Sequence, residues 1–324
     1  MRYLLLACIP PLFLIIKKHI SWPIAYFYCY VLFFFILRNY PITECFMLIL
    51  ISATLFFGGY LAHFSQKKLG FWLVCAGSIQ AVIAIFQRFG VHILFTPNEA
   101  WGMYLATGTM GHNTVLGPLL VACLAPALWM RNYVCAAIIL CAALLCSSSM
   151  TFASLGFVLW VFYWYRTSNF WACISAYLCV IVGAILWISF PNMEIFGTSG
   201  RVPIWIAAIE AFKSAWIVGH GLTYWPLVYL PQKVGLQGDL AWIHIHSDYL
   251  EILVAYGVSL FIPLLYAIYQ FVSRFKPSWP HAVCGAILIN ALANFPFQIV
   301  PIALIFIVCW AYCAKNSQSS DTLS

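Results

Sequence analysis

Long apolar runs alternate with short polar punctuation along the whole chain. Runs with few or no charges fall at 2–16, 20–37, 43–62, 69–87, 114–130, 133–148, 151–166, 170–190, 247–272, 281–295 and 297–314. Most approach the roughly 20 residues that an α-helix needs to cross the hydrocarbon layer. Such runs can satisfy their backbone polar groups in lipid only as helices. The pattern therefore predicts an all-α, polytopic membrane helix bundle of about eleven transmembrane helices. The first run is short and contains Pro10 and Pro11, but no small-x-small cleavage site follows, so it reads as a first span rather than a leader. Asn294 and Pro296 lie between the last two runs, which can be halves of one broken helix. On this reading 1–315 is a single integral membrane domain, and the polar stretch 316–324 is a disordered cytoplasmic tail.

Composition sharpens the picture. Charged residues make up 7% of the 324 positions and hydrophobic residues 65%. An average soluble domain carries about 25% charged residues. These values exclude a soluble globular protein, a disordered chain and a secreted disulfide scaffold. The net charge of +7 comes from basic residues scattered between apolar runs, which speaks for membrane topology and against a nucleic-acid partner. The 13 cysteines form no CxxC pair and sit mostly inside apolar runs, where cysteine acts as a small hydrophobe. Neither a disulfide framework nor a zinc site is expected.

Charge in alternate connections orients the bundle. One set holds Lys17, Lys18, Lys67, Lys68, Arg131, Arg166, Arg274 and Lys276, with no acidic residue. The other set balances: Arg38, Arg88, Arg201, Lys213 and Lys233 against Glu44, Glu99, Glu194, Glu210 and Asp239. The positive-inside rule places the first set, and the C-terminus, in the cytoplasm. The two long connections, roughly 88–113 and 191–246, then face outward. Long loops carry much of the chemistry of membrane and soluble proteins alike. A site there has no access to ATP or nucleotide sugars, so its substrate must arrive already activated on a lipid.

Inside the second connection, Arg201 precedes Pro203, a favourable first helical position. Ile204, Trp205, Ala208, Ile209, Phe212 and Trp216 recur at helical spacing, with Glu210 and Lys213 opposite. This predicts an amphipathic interfacial helix ending at Gly219-His220-Gly221.

The strongest candidate for chemistry is His246, within Ile243-His244-Ile245-His246-Ser247-Asp248-Tyr249-Leu250-Glu251, where the outer loop enters a span. Ser247 or Asp248 can cap that helix, and Asp248 with Glu251 matches a capping box. A histidine beside the positive end of a helix dipole tends to stay neutral, as a general base requires. The plain alternative is a hydrogen-bonded interfacial histidine. Arg201 can fork onto a diphosphate, or be an ordinary surface charge near Glu194. Thr107-Gly108-Thr109-Met110-Gly111-His112-Asn113 lets the backbone approach a ligand, with Asn113 oriented to a sugar or phosphate, or is a capped turn. Gln87-Arg88-Phe89-Gly90 closes a span on the same face, with Arg88 either a second phosphate contact or a snorkelling side chain. Ser147, Ser148, Ser149 and Thr151 form a polar break that suits helix packing. No P-loop or Cys–His pair is present, and Asp248 and Glu251 are the only close outer carboxylates, so the expected chemistry needs no metal and no cofactor.

Taken together these motifs resemble the O-antigen ligase and polymerase (Wzy-C) superfamily. His246, Ser247, the residues Asp248 to Tyr256 and Gly257 are similar to its His-[Asn/Ser/Gln]-x9-Gly signature. Gly108 to Asn113 resembles its GTFGxxN stretch, and Gln87-Arg88-Phe89-Gly90 its Q-x-F-G. Arg201 with Trp205, and Gly219-His220-Gly221, resemble the elements bracketing its outer-loop helix. The resemblance spans roughly residues 75–310. Ser147-Ser148-Ser149-Met150 departs from the family, which often has Ser-Arg there as part of a phosphate clamp.

The resemblance implies a GT-C-like glycosyltransferase of the bacterial inner membrane, working at the periplasmic face. Its donor would be a glycan on undecaprenyl diphosphate and its acceptor lipid A-core, for lipopolysaccharide biosynthesis. His246 would activate the acceptor hydroxyl, the anomeric carbon would invert, and Arg201, with Arg88, would neutralise the departing diphosphate. Gln87, His112, Asn113, Asp248 and His220 would line the substrate site. The same motifs fit an O-antigen polymerase or a protein O-oligosaccharyltransferase. A transporter fits less well, because the spans hold almost no ionisable groups.

Overall fold

The computed structural model describes residues 65–91, 106–146, 148–168, 174, 201–221, 225 and 244–321. The expected spans at 2–16, 20–37 and 43–62, nearly all of 170–190, and the rest of the two outer connections lie outside the described residues. Among the described residues all regular structure is helical. The elements are α1 (Gln66–Arg88), α2 (Asn113–Trp129), α3 (Tyr133–Leu145), α4 (Ser149–Thr167), α5 (Arg201–Ser214), α6 (Asp248–Ser273), α7 (Trp279–Asn290), a 3-10 turn (Pro296–Gln298) and α8 (Val300–Asp321). The apolar runs from 69 to 166 reappear as α1 to α4 with small shifts at their ends. The backbone of α8 stays helical to Asp321, through most of the stretch whose composition suggests an irregular tail.

The chain packs as two compact units. The first contains α1 to α4, α7 and α8 as far as Tyr312. Within it α2 is central, packing against α1, α3, α4 and α7. Its residues Leu116 to Ala127 are buried without interruption, as expected of a helix that is apolar all round. Small residues allow the close approach. A Cβ on Gly117 would collide with Thr151 of α4, and one on Gly285 of α7 with the Phe157 ring. Ser154 Oγ adds an interhelical bond to Ala286 O at 2.9 Å. This is the membrane style of packing, with glycine, alanine and hydroxyl residues at the contacts.

The large apolar side chains point the other way. Phe71, Trp72, Ile79, Val82 and Phe86 are exposed along α1, and Ile262, Leu265, Tyr266, Tyr269 and Val272 along α6. Both helices are long and apolar enough to cross a membrane. Small residues within and bulky apolar stripes without suit a lipid solvent rather than water.

Two breaks matter. α7 ends at Asn290, and Asn294 Nδ2 donates to Asn290 Oδ1 at 3.2 Å before Pro296 opens the 3-10 turn. The expected broken helix is thus two helices with a buried amide pair between them. The second break was not expected. The run 247–272 predicts one continuous span, but Gly257 adopts φ 66°, ψ −167°, which divides α6. That conformation is essentially restricted to glycine.

Alanine inside a helix ordinarily gains about 0.5–1 kcal/mol over glycine. At Gly117 and Gly285 the added methyl meets occupied space, and overpacking costs about 1–3 kcal/mol. We expect Gly117→Ala and Gly285→Ala to lower the unfolding midpoint of the detergent-solubilised protein, with Thr151→Ala partly restoring the first. A raised midpoint in either single variant would contradict this close packing.

Candidate active site

The second unit contains α5 and α6. An unbroken α6 would bond the Val258 amide to Val254 O and the Ser259 amide to Ala255 O. The break at Gly257 separates them, and the turn after α5 satisfies all four groups. The amides of His220 and Gly221 donate to Val254 O and Ala255 O at 2.9 and 2.8 Å. The amides of Val258 and Ser259 donate to Trp216 O and Ile217 O at 2.9 and 3.1 Å. Such proximity explains two glycines of the sequence motifs. A Cβ on Gly257 would stand 2.6 Å from Trp216 O, and one on Gly219, at φ 69°, would strike the Ala255 carbonyl.

This clasp fixes α5 against the N-terminal half of α6. Ile204, Ala207, Ala208 and Ala211 of α5 form a buried cluster with Trp225, Ile245 and Val254. Trp205 Nε1 donates to Ile245 O at 3.1 Å. Trp205 lies one helical turn beyond Arg201, and Ile245 adjoins His246, so one bond ties together the segments carrying both candidates. Arg201 is partly buried at the start of α5, and desolvation lowers its pKa from the ordinary arginine value. It remains a cation, and its reduced hydration strengthens attraction to an anion that reaches it. Of the expected apolar positions, Ile204, Trp205, Ala208 and Phe212 take the protein-facing side, joined by Ala207 and Ala211, while Ile209 and, just past the helix end, Trp216 lie exposed with Glu210 and Lys213.

His246 occupies the left-handed region at φ 57°. Ser247 caps α6, its hydroxyl accepting from the Leu250 amide at 3.4 Å. The expected Asp248–Glu251 capping box does not form. With Ser247 as the cap, Glu251 falls one position beyond the reciprocal site, and its Oε1 lies 3.4 Å from His244 Nδ1. Asp248 is buried in the first turn of α6. His220 turns back onto α5, with Nε2 2.8 Å from Ala211 O and 2.9 Å from Ser214 Oγ. A carbonyl only accepts, so Nε2 carries the proton and His220 helps close the α5 C-terminus.

The remaining candidates belong to the first unit. Gln87 is fully buried at 0% exposure. Its Oε1 accepts from the amides of Thr107 and Gly108 at 3.1 and 2.8 Å, and its Nε2 donates to Gly108 O at 2.9 Å. Gln80, two turns earlier, accepts from the Thr109 amide at 2.9 Å and also bonds the Thr109 hydroxyl. Sequence reasoning overlooked Gln80; its heptad spacing from Gln87 on one helix face was the available signal. Gln87 thus holds the Thr107–Thr109 loop through its backbone. Arg88 is exposed in the last turn of α1. His112 caps α2, Nδ1 accepting from the Thr114 amide at 3.2 Å. Asn113 Nδ2 donates to Cys146 O at 2.9 Å, joining the start of α2 to the end of α3.

Helices with lipid-suited faces, and an arginine-led helix clasped to a serine-capped one that follows His246, suggest a helical membrane protein with a built element between its spans. Residues 134–265 match the family model described as O-Antigen ligase (Wzy_C), so this part of the chain is similar to the O-antigen ligase superfamily. The likeness is to glycosyltransferase-like enzymes that use lipid-linked glycans and acceptors. The match includes Arg201, His220, His246, Asp248 and Gly257, and stops short of Gln87, Arg88, His112 and Asn113. No curated protein and no solved structure matches the chain.

Two outcomes follow from the clasp and the glutamine latch. Gly257→Ala introduces strain of about 1–3 kcal/mol in addition to a steric clash, and should expose the His220, Gly221, Val258 and Ser259 amides to hydrogen exchange. Gln87→Ala leaves buried loop amides unsatisfied at about 1–3 kcal/mol each, and should destabilise the protein far more than Arg88→Ala. Unchanged exchange in the first variant, or equal midpoints in the second pair, would refute these roles.

Proposed function

We propose that the chain moves a glycan from undecaprenyl diphosphate to an acceptor hydroxyl at the periplasmic face of the bacterial inner membrane, with lipid A-core as acceptor. The single observation that carries this is the Trp205–Ile245 bond, which sets the Arg201 helix against the His246 segment inside the region matched by the ligase family. The protein is a multi-pass bundle of about eleven spans of GT-C type.

In this reading the acceptor oxygen attacks the anomeric carbon while His246 removes its proton. The bond from that carbon to the diphosphate oxygen breaks with inversion, and the electron pair leaves on the diphosphate. Arg201 stabilises the charge that develops there, helped by its partial burial and its place at a helix N-terminus. The reading invokes no metal, since Arg201 supplies the positive charge at the leaving group. Gln87, His112 and Asn113 serve as supports of the loop and helix ends within their own unit, a role their hydrogen bonds favour over direct substrate contact. His220 likewise supports α5. The polymerase reading shares the same chemistry and differs only in its acceptor.

The test is complementation of a ligase-deficient Gram-negative host, with membrane insertion checked by blot. Wild type should restore the lipopolysaccharide ladder. His246→Ala and Arg201→Ala should each reduce it by about a hundredfold or more, as expected for loss of a proton-transfer or charge-stabilising group. A full ladder from His246→Ala would end this assignment. An absent ladder from inserted wild type, with lengthened lipid-linked glycan, would establish the polymerase instead.

A further inference from the structure

One end of the unit that contains α1 to α4 and α7 carries a positive charge that the transfer reading does not use. Lys67, Lys68, Arg131, Arg166 and Lys276 are all exposed there. The described residues of this unit include no aspartate or glutamate. Close contacts bring the four segments that carry these cations together. A Cβ on Gly70, one turn after Lys67, would stand 3.3 Å from Met130 Sδ, 3.4 Å from Pro126 Cβ and 3.8 Å from Trp279 Cζ2. Met130 adjoins Arg131, and Trp279 follows closely on Lys276. Arg166 donates to the Tyr133 hydroxyl at 3.1 Å, and the Tyr165 and Trp129 rings lie 5.4 Å apart. α1, α3 and α7 begin at this end, so their N-termini add partial positive charge.

We propose that this end of the unit binds the headgroups of anionic phospholipids. The inference is independent of the transfer reading. Order along the helices favours lipid over a soluble anion, because exposed aromatic rings stand beside the cations. Phe71 and Trp72 follow Lys67 and Lys68 by one helical turn, so each ring shares a face of α1 with a lysine. Exposed Tyr133 follows Arg131, and exposed Tyr165 precedes Arg166. Cations outermost, aromatic rings next and apolar side chains beyond is the order of depth at a membrane interface. A basic cluster at that depth attracts anionic headgroups, and arginine can fork onto their phosphates. Arg131 strengthens the case. It holds φ 59° at the end of α2, a place where glycine or asparagine is usual, so its charge is kept at a backbone cost. Orienting the chain during insertion requires cations in the right connections, but not their convergence in the folded unit.

The test is native mass spectrometry of the full chain in detergent, with phosphatidylglycerol and phosphatidylcholine of matched acyl chains as the probes. Wild type should bind the anionic lipid about a hundredfold or more tighter, since each of several cations is worth about a factor of five. The preference should shrink as salt is added. Lys67→Gln, Lys68→Gln and Arg166→Gln should each cut it about fivefold. Arg131→Gly separates binding from folding. It removes the charge and relieves the backbone, so the lipid-free unfolding midpoint should hold or rise while the preference falls about fivefold. Lys213→Gln, at an exposed cation of the other unit, should leave the preference unchanged. Equal binding of the two lipids by wild type would overturn the proposal, as would an undiminished preference in folded Arg131→Gly protein. Displacement of phosphatidylglycerol by inorganic phosphate or by a short RNA would also overturn it, since the patch would then serve a soluble anion.

Discussion

Four backbone hydrogen bonds between the 216–221 turn and the broken stretch of α6 are the constraint on which the rest of the site depends. A helix interrupted near a membrane exposes amides and carbonyls that water does not readily satisfy, and each such group is costly when left alone. The turn after α5 resolves this by supplying partners on both sides of Gly257. The consequence is rigidity where a loop would otherwise be free: α5, which begins at Arg201, is fastened at its far end to α6 and along its length to Ile245 and Val254. The break also separates the short capped segment from the lipid-suited stripe that follows, so the position of Ser247 and its neighbours is set by the clasp rather than by the bilayer.

Much of this was legible in the residues, and the parts that were not share a cause. Apolar runs and their polar boundaries located α1 to α4 closely, since lipid demands length and apolarity of each span and little else. Gly257 was visible as a motif residue but hidden within an uninterrupted apolar run, because a glycine break leaves hydropathy untouched. The packed side of α5 is legible only in part for a related reason. Ile204, Trp205, Ala208 and Phe212 pack as their spacing suggests, but Ala207 and Ala211 join them while Ile209 and Trp216 stand outside, a detail that bulk hydrophobicity does not reveal. The His–Glu contact and the Trp205 bond depend on how two separated segments meet, and only the folded chain brings them together.

The glutamine latch carries a broader point about polar residues in recognisable motifs. Gln87 looks like a substrate contact because it is polar, lies beside Arg88 and belongs to a recognisable motif. Its side chain instead forms three strong contacts to the Thr107–Gly108 backbone and has no exposed surface. A carboxamide is well suited to this: it offers donor and acceptor in one plane, as a neighbouring strand would, without a charge to desolvate. His112 and Asn113 continue the pattern, capping α2 and pinning it to α3. Polarity in these motifs organises backbone first.

That division clarifies why so few charges suffice. A transfer that draws its driving force from a lipid diphosphate needs no nucleotide site and no phosphate-binding loop, only a cation near the leaving group and a base near the acceptor. In the proposed transfer Arg201 and His246 take these two parts, provided that their separation is fixed. Side-chain ion pairs could fix it, but each would introduce another charge into a region that penalises charge. Backbone hydrogen bonds carry no such penalty, and glycine is the residue that lets two backbones come close enough to make them. The scarcity of charged residues and the glycines at 219, 221 and 257 are thus two sides of one solution: the polar groups of the main chain supply the rigidity, leaving the side-chain charges for chemistry.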